Sequence, residues 1–240
     1  VNNDRDSFNS NYNEIGFQAI ETHFLSAELN QDVDFGEGTV TAIYGWRDSD
    51  QATLGDIDAQ PLTLFHAPTD LLSEQHSLEL RYNGRFGRAN ITTGAYWFDN
   101  DIVYHERRNL LGFLTETVTG GLLPDTVPFQ IQDGGGFYDV ESLGAFLAVD
   151  YELTDRLPLT LGGRYTTEEK SADIASLGVN TNQLDIPATL VGGGTPVYGN
   201  LVTGIDTRCS FVNGPSCPVD FSDSESWDTF APKIGLTYLL

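Results

Sequence analysis

The sequence contains no methionine, only two cysteines, and 12 Lys+Arg set against 35 Asp+Glu. The formal net charge is −23 and the pI about 4.1. Scarcity of base excludes a nucleic-acid binder, which needs a basic stripe to displace counterions from phosphate. It also excludes polybasic docking on an anionic membrane surface. No stretch approaches the roughly 18 consecutive apolar residues of a membrane helix. The chain opens on Val1 rather than on an initiator methionine, and it shows no signal peptide. We therefore expect a chain that begins mid-protein or after processing. With 240 residues, 40% hydrophobic and 11% aromatic, it has material for a sizeable core and does not have a disordered composition.

The acids are unevenly placed. Between Asp48 and Glu74 every charged residue is acidic, and between Asp99 and Glu141 only Arg107 and Arg108 oppose the acids. From Asp173 to Trp227 only Arg208 does so. Most prolines, including Pro61, Pro68, Pro124 and Pro128, fall in these stretches, as do Gly134–Gly136 and Gly192–Gly194. Proline cannot donate to a ladder and glycine weakens a strand, so these stretches are expected to be loops.

The intervening segments alternate with period two. Strands are expected at roughly 20–31, 39–47, 75–83, 89–99, 141–153, 158–171 and 228–240. Leu25, Ala27 and Leu29 alternate with Ser26, Glu28 and Asn30; Leu143, Ala145, Leu147, Val149 and Tyr151 alternate with Ser142, Gly144, Phe146, Ala148 and Asp150. The fourth strand is ambiguous, because Tyr96 and Trp97 must face opposite ways. Short turns near Gly36, Gly84 and Asp155 alternate with connections expected to run to dozens of residues. Compact domains rarely carry three such loops, whereas a membrane β-barrel has short periplasmic turns and long extracellular loops.

The aromatics agree. Tyr44, Trp46, Trp97 and Tyr138 would lie toward the outer ends of strands, and Tyr82, Tyr151 and Tyr238 toward the turn ends. These are the two girdles of amphipathic rings expected at membrane interfaces. The expected fold class is therefore all-β: an antiparallel transmembrane β-barrel segment of about seven strands. A soluble β-sandwich also has alternating strands, but it does not account for the loop alternation.

Three segments then carry a family resemblance. Leu161-Gly162-Gly163-Arg164-Tyr165-Thr166-Thr167-Glu168-Glu169-Lys170 resembles a strand-and-rim motif of TonB-dependent outer-membrane receptors. The segment from Trp227 to Tyr238, with its Pro232-Lys233-Ile234-Gly235 core, resembles the family's next strand, and Ser77-Leu78-Glu79-Leu80-Arg81 is similar to a third barrel segment. The resemblance covers roughly residues 20–240 as part of one barrel domain, with residues 1–19 as the tail of a preceding extracellular loop and the plug domain outside this chain. It implies an energy-coupled receptor of the Gram-negative outer membrane that imports a scarce ligand such as a ferric siderophore, a vitamin or a glycan. The implied partners are the TonB system acting through a plug, outer-membrane lipid and lipopolysaccharide, and a small-molecule ligand. A passive porin is the second reading and a soluble β-sandwich binding module the third.

Within that frame the expected interior wall carries Glu28, Glu79, Arg81, Asp150, Arg164, Glu168 and Lys233, facing plug, ligand or simply water. Cys209 and Cys217 suit a loop-closing disulfide in an oxidising exterior. Catalysis is not expected: no G-x-S-x-G, H-E-x-x-H or phosphate loop is present. His23, His66, His76 and His105 lack ligand spacing, and no cofactor is implied. Asp48-Ser49-Asp50, Asp56-Ile57-Asp58 and Asp99-Asn100-Asp101 lack the glycine and distal Glu of a calcium loop and read as solvated acidic loops. Asn90-Ile91-Thr92 matches a glycosylation pattern, but by chance, inside a strand. The acidic loops should disfavour anionic ligands.

Overall fold

The computed structural model describes residues 12–176, 209–213 and 216–238. Part of the expected first loop (residues 1–11) and Gly192–Gly194 lie outside the described residues. One sheet contains all the strands: β1 (Phe17–Val33), β2 (Gly38–Asp56), β3 (Phe65–Phe86), β4 (Ala89–Leu110), β5 (Gln130–Thr154), β6 (Leu157–Ala175) and β7 (Phe221–Leu236). Spatial order follows chain order, and every neighbouring pair is antiparallel. This is the up-and-down meander of a barrel wall, and the sheet is open between β1 and β7.

Three connections are tight turns. Asp34–Gly38 passes through a 3-10 turn at Phe35–Glu37, where Gly36 takes φ 62°. A Cβ at Gly36 would strike the Phe86 ring, so glycine serves both the backbone and the ring packed on it. The turns at 87–88 and 155–156 are shorter still. On the other side, 57–64 and 111–129 link β2 to β3 and β4 to β5, the latter through the short helix α1 (Gly112–Val118).

The strands overrun their sequence-based limits, which corrects the loop assignments. Pro68 is in β3 and Gly134–Gly136 in β5; Asp48–Asp50 and Asp99–Asp101 lie in β2 and β4 rather than in acidic loops. The first two long connections are accordingly far shorter than dozens of residues. Pro68 is accommodated because β3 pairing with β4 is interrupted at Ala67 and Pro68 and resumes at Thr69. The missing N–H therefore costs no ladder bond. Gly135, at φ 134°, brings its backbone against Tyr104, where a Cβ would collide with the carbonyl oxygen. Glycine is needed there to continue the strand, not to end it.

No second sheet covers the apolar parity among the described residues. Leu147 is 50% exposed and Ile234 79%, which disposes of the sandwich, whose apolar face must be buried. The enclosed apolar side chains lie instead near the loops: Leu123, Ile131, Ala175 and Cys217.

Candidate functional site

The register assigns each strand's residues to one of two faces. Leu29, Ala42, Leu80, Ala95, Ala145, Tyr165 and Phe230 stand in one continuous row across all seven strands. Below it Ile91, Val149, Leu161 and Ile234 form another. Along β5 this face runs from Leu143 to Leu153, roughly 33 Å of strand, or about 25 Å of height at a barrel tilt near 40°. That is the height of a lipid-facing band.

The band ends abruptly at the loop side. Trp46 and Trp97 stand on the apolar face there, and each indole N–H donates to a carboxylate one step higher, Trp46 to Glu74 and Trp97 to Glu141, both at 3.2 Å. Tyr44 O–H meets His76 Nδ1 at 2.9 Å. At the turn side, Tyr82 is on the same face and donates to the Phe35 carbonyl at 2.6 Å, while Tyr151 and Tyr238 are exposed. Tyr138 is a correction. It pairs in register with Ile102 and stands on the opposite, polar face, so it is no part of that ring. Extending β5 back to Gln130 reveals its parity. The ambiguity in β4 resolves likewise: Trp97 is on the apolar face, while Tyr96 stacks on Phe98 (6.5 Å, 15° between planes) on the polar one.

All seven charged residues expected on the wall share the polar face. Glu28 accepts from Asn30 Nδ2 at 2.7 Å and Asp150 from Thr160 Oγ1 at 2.6 Å. Arg81 pairs with Glu79 at 3.1 Å, Lys170 with Glu168 at 2.8 Å, and Arg164 Nε donates to Thr166 Oγ1. Lys233 sits opposite Gly162. Arg81, Gly94, Phe146 and Arg164 share one row, but Glu28, Asp150 and Lys233 are spread elsewhere, so these residues make a surface and not one constellation. Arg81 Nε is buried with no acceptor among the described residues.

Above the band the two faces differ in charge. On the apolar-band side the strand extensions carry Asp48 and Asp50, Asp70 and Glu74, Asp99 and Asp101, Asp139 and Glu141, and Glu169 and Asp173. Arg107 is the one Lys or Arg among these described residues. Burial, a hydrogen bond with Asp139 and the charges of Asp99, Asp139 and Glu74 push the Asp101 carboxyl up. The polar face holds Arg47, Arg108 and Lys170 against Glu106, Glu168, Asp223 and Glu225, a near balance, amid hydroxyls, amides and aromatic rings. In the described strands, the carboxylates thus mostly face away from the polar wall.

A buried polar cluster escapes the sequence reading. Asp133, its side chain 1% exposed, accepts from Arg107 Nε at 2.6 Å and lies 3.5 Å from His105 Nε2. The Cys209 N–H donates to its second oxygen at 3.3 Å. Burial alone raises this carboxyl, but the His105 and Arg107 hydrogen bonds, the Arg107 charge and the Cys209 N–H together outweigh it and hold the group below its ordinary value. Phe211 packs edge-on against Phe137 at 5.1 Å. Cys209 and Cys217 are joined, with Cα atoms 4.7 Å apart. The β6–β7 connection is thereby fastened to β4 and β5 on the side of the apolar band, above it. Only the i, i+2 spacing of His105 and Arg107 hints at a shared face. Replacing both cysteines by serine should cost this loop about 2–3 kcal/mol of closure free energy. It should appear as faster amide exchange over residues 210–213 with β5 unchanged.

A niche of about 360 Å³ opens on the polar face across β5, β6 and β7, walled by Tyr138, Val140, Ala172, Phe221 and Trp227. Lys170 lies over the Trp227 ring, 5.7 Å from its centre.

A model of the "TonB dependent receptor-like, beta-barrel" family matches residues 1–240. Among curated proteins no sequence matches. The fold is similar to that of the ferric yersiniabactin uptake receptor FyuA from Yersinia pestis, with a TM-score of 0.56 and 14% identity over 93% of this chain. The match spans 26% of that receptor, so this chain corresponds to about a quarter of its length. An exposed apolar band, a polar opposite face and alternating turns and loops are what such a wall requires, and the chain belongs to the TonB-dependent receptor β-barrel family.

Proposed function

We propose that this chain forms an arc of the wall of a Gram-negative outer-membrane receptor, which captures a scarce small molecule outside the cell and admits it by TonB-coupled transport. The observation that carries this reading is the two-faced sheet: an uncovered apolar band of membrane height on one side and a polar, hydrogen-bonded face on the other. Both edge strands have one neighbour only among the described residues. Unpaired edges are prohibitive in lipid, so further strands close the barrel. The apolar band meets lipid, and the carboxylates above it stand at the level of lipopolysaccharide headgroups.

The polar face then lines the interior. Glu28, Glu79, Arg81, Asp150, Arg164, Glu168 and Lys233 meet a plug domain, the ligand or the water between them. The part-exposed Arg81 guanidinium, which Glu79 holds through Nη1 at 3.1 Å, suits a contact supplied by the plug. The role is transport, not catalysis. The likeness to a ferric yersiniabactin uptake receptor makes a ferric siderophore one candidate ligand, beside a vitamin or a glycan.

The test is accumulation of labelled nutrients by cells carrying the intact receptor, with TonB present or deleted. Uptake that vanishes without TonB is expected. Uptake of similar rate in both strains would indicate a passive porin and overturn the reading. Arg81→Ala should lower TonB-dependent uptake severalfold while the amount of receptor in the membrane stays constant, as measured by surface labelling.

A further inference from the structure

We propose that the niche between β5, β6 and β7 binds an organic cation, an ammonium or amidinium group carried on an apolar body. The inference rests on the transport reading above for the side of the wall that a ligand meets, and it adds a ligand charge and a place. Its first support is a local imbalance of charge. Lys170 is the one Lys or Arg lining the niche, and Asp223 and Glu225 line it too. Lys170 stands opposite Glu225 in register, but its ammonium turns to Glu168 at 2.8 Å and lies over the Trp227 ring. Asp223 and Glu225 are thereby left without an ion pair among the described residues. Asp223 accepts the backbone N–H of its neighbour Ser224 at 2.9 Å, which leaves its second oxygen open. With Glu168 beside the niche, three carboxylates face one ammonium. A cation entering there gains a free counter-charge, and an anion is repelled.

The second support is the aromatic wall. The niche has the volume of a small-molecule site, about 360 Å³, and Tyr138, Phe221 and Trp227 enclose it. Aromatic faces attract cations through their quadrupole and pack against an apolar body at the same time. The chain already uses one of them in this way, since the Lys170 ammonium lies 5.7 Å from the centre of the Trp227 ring. The spacing of the acids favours an organic cation over a metal ion. Asp223 and Glu225 are alternate residues on one face of β7, about 7 Å apart along the strand. A hard metal ion takes six or more oxygens, and among the described residues no three His, Cys, Asp or Glu side chains are grouped to hold one. N–H donors on two edges of an amidinium, or on a diamine, reach both carboxylates. Tyr138 precedes Leu143 on β5, so the niche lies above the apolar band, on the loop side, where a ligand from outside first meets the wall.

The experiment uses the intact receptor in detergent and three labelled probes of one shape: cationic benzamidinium, neutral benzamide and anionic benzoate. Equilibrium dialysis measures the binding of each at low and high salt (about 0.02 M and about 0.5 M). At low salt benzamidinium is expected to bind at least about tenfold more tightly than either isostere, and its affinity should fall severalfold at high salt as the carboxylates are screened. Asp223→Asn combined with Glu225→Gln removes both charges but keeps the side-chain sizes, and should weaken benzamidinium by about tenfold. Tyr138→Leu, which leaves both carboxylates in place, should weaken it by about threefold. Benzamide binding as tightly as benzamidinium, tighter binding of benzoate, or full affinity in the double variant would each overturn the inference. So would binding of none of the three, which would leave the two carboxylates to a cationic side chain of the receptor itself. TonB-dependent nutrient uptake by a receptor that ignores benzamidinium would overturn this inference and leave the transport reading standing. Benzamidinium binding through Asp223 and Glu225 with TonB-independent uptake would do the reverse.

Discussion

Replacing Leu147 by arginine is expected to destabilise the intact barrel by about 2–4 kcal/mol, the cost of a cation at mid-depth on a lipid-facing surface. Leu147 sits near the middle of the apolar run of β5, between Thr93 on β4 and Gly163 on β6. Its small neighbours leave the side chain 50% exposed, so arginine would meet hydrocarbon rather than protein. The adjacent position supplies the control. Ala148 points to the opposite face, beside Thr92 and Gly162, and Ala148→Arg should cost less than about 1 kcal/mol where the face is wet. Denaturant titration of the receptor refolded into lipid vesicles measures both. Equal losses at the two positions would mean that the alternation does not divide lipid from interior. Position-dependent loss would measure depth directly, because the penalty declines toward the interfaces.

That contrast depends only on parity, and parity is legible in the sequence. Leu143, Ala145, Leu147, Val149 and Tyr151 against Ser142, Gly144, Phe146, Ala148 and Asp150 determine which side of β5 carries the apolar band, and the register agrees across the sheet. Strand ends are harder to read. Inside the membrane every second residue must be apolar, so the pattern is strong. Beyond it both faces meet water, the alternation disappears, and Asp, Gly and Pro are tolerated in a continuing ladder. Asp99–Asp101 and Gly134–Gly136 look like loop sequence for that reason, yet Asp101 pairs with Asp139 and Gly135 with His105. Tyr138 reads as a girdle residue for the same reason, since its face is fixed only by the hidden part of β5. The charge separation is concealed too, because it needs the parity of residues whose strand membership the composition masks. The Asp133 cluster joins β4, β5 and Cys209, across a sequence distance that no local pattern spans.

That cluster carries the second large effect. Asp133→Ala should free the Cys209 end of the β6–β7 connection at a local cost of about 3 kcal/mol, because it leaves the half-buried Arg107 guanidinium without its counter-charge and the Cys209 N–H without its acceptor. Asp133→Asn keeps an acceptor but no charge, and should lose less. The pH dependence follows from the sign of the shift. The folded carboxyl titrates below its ordinary value, so its contribution is fully present above the unfolded pKa of roughly 4 and is lost as pH falls through the lower folded value. The fastening should therefore hold throughout the neutral and mildly acidic range and fail only in strong acid. Amide exchange at residues 209–213 reads the effect directly. Acceleration there with unchanged protection in the apolar-band part of β5 is expected, because the cluster lies above that band, at the loop end of the β4–β5 ladder. Loss of protection along the whole of β5 would show that Asp133 supports the strand rather than the loop. A segment released in the alanine variant but still closed by its disulfide would also separate two devices that the wild-type chain combines: the cysteines shape the loop, and the carboxylate decides where it is held.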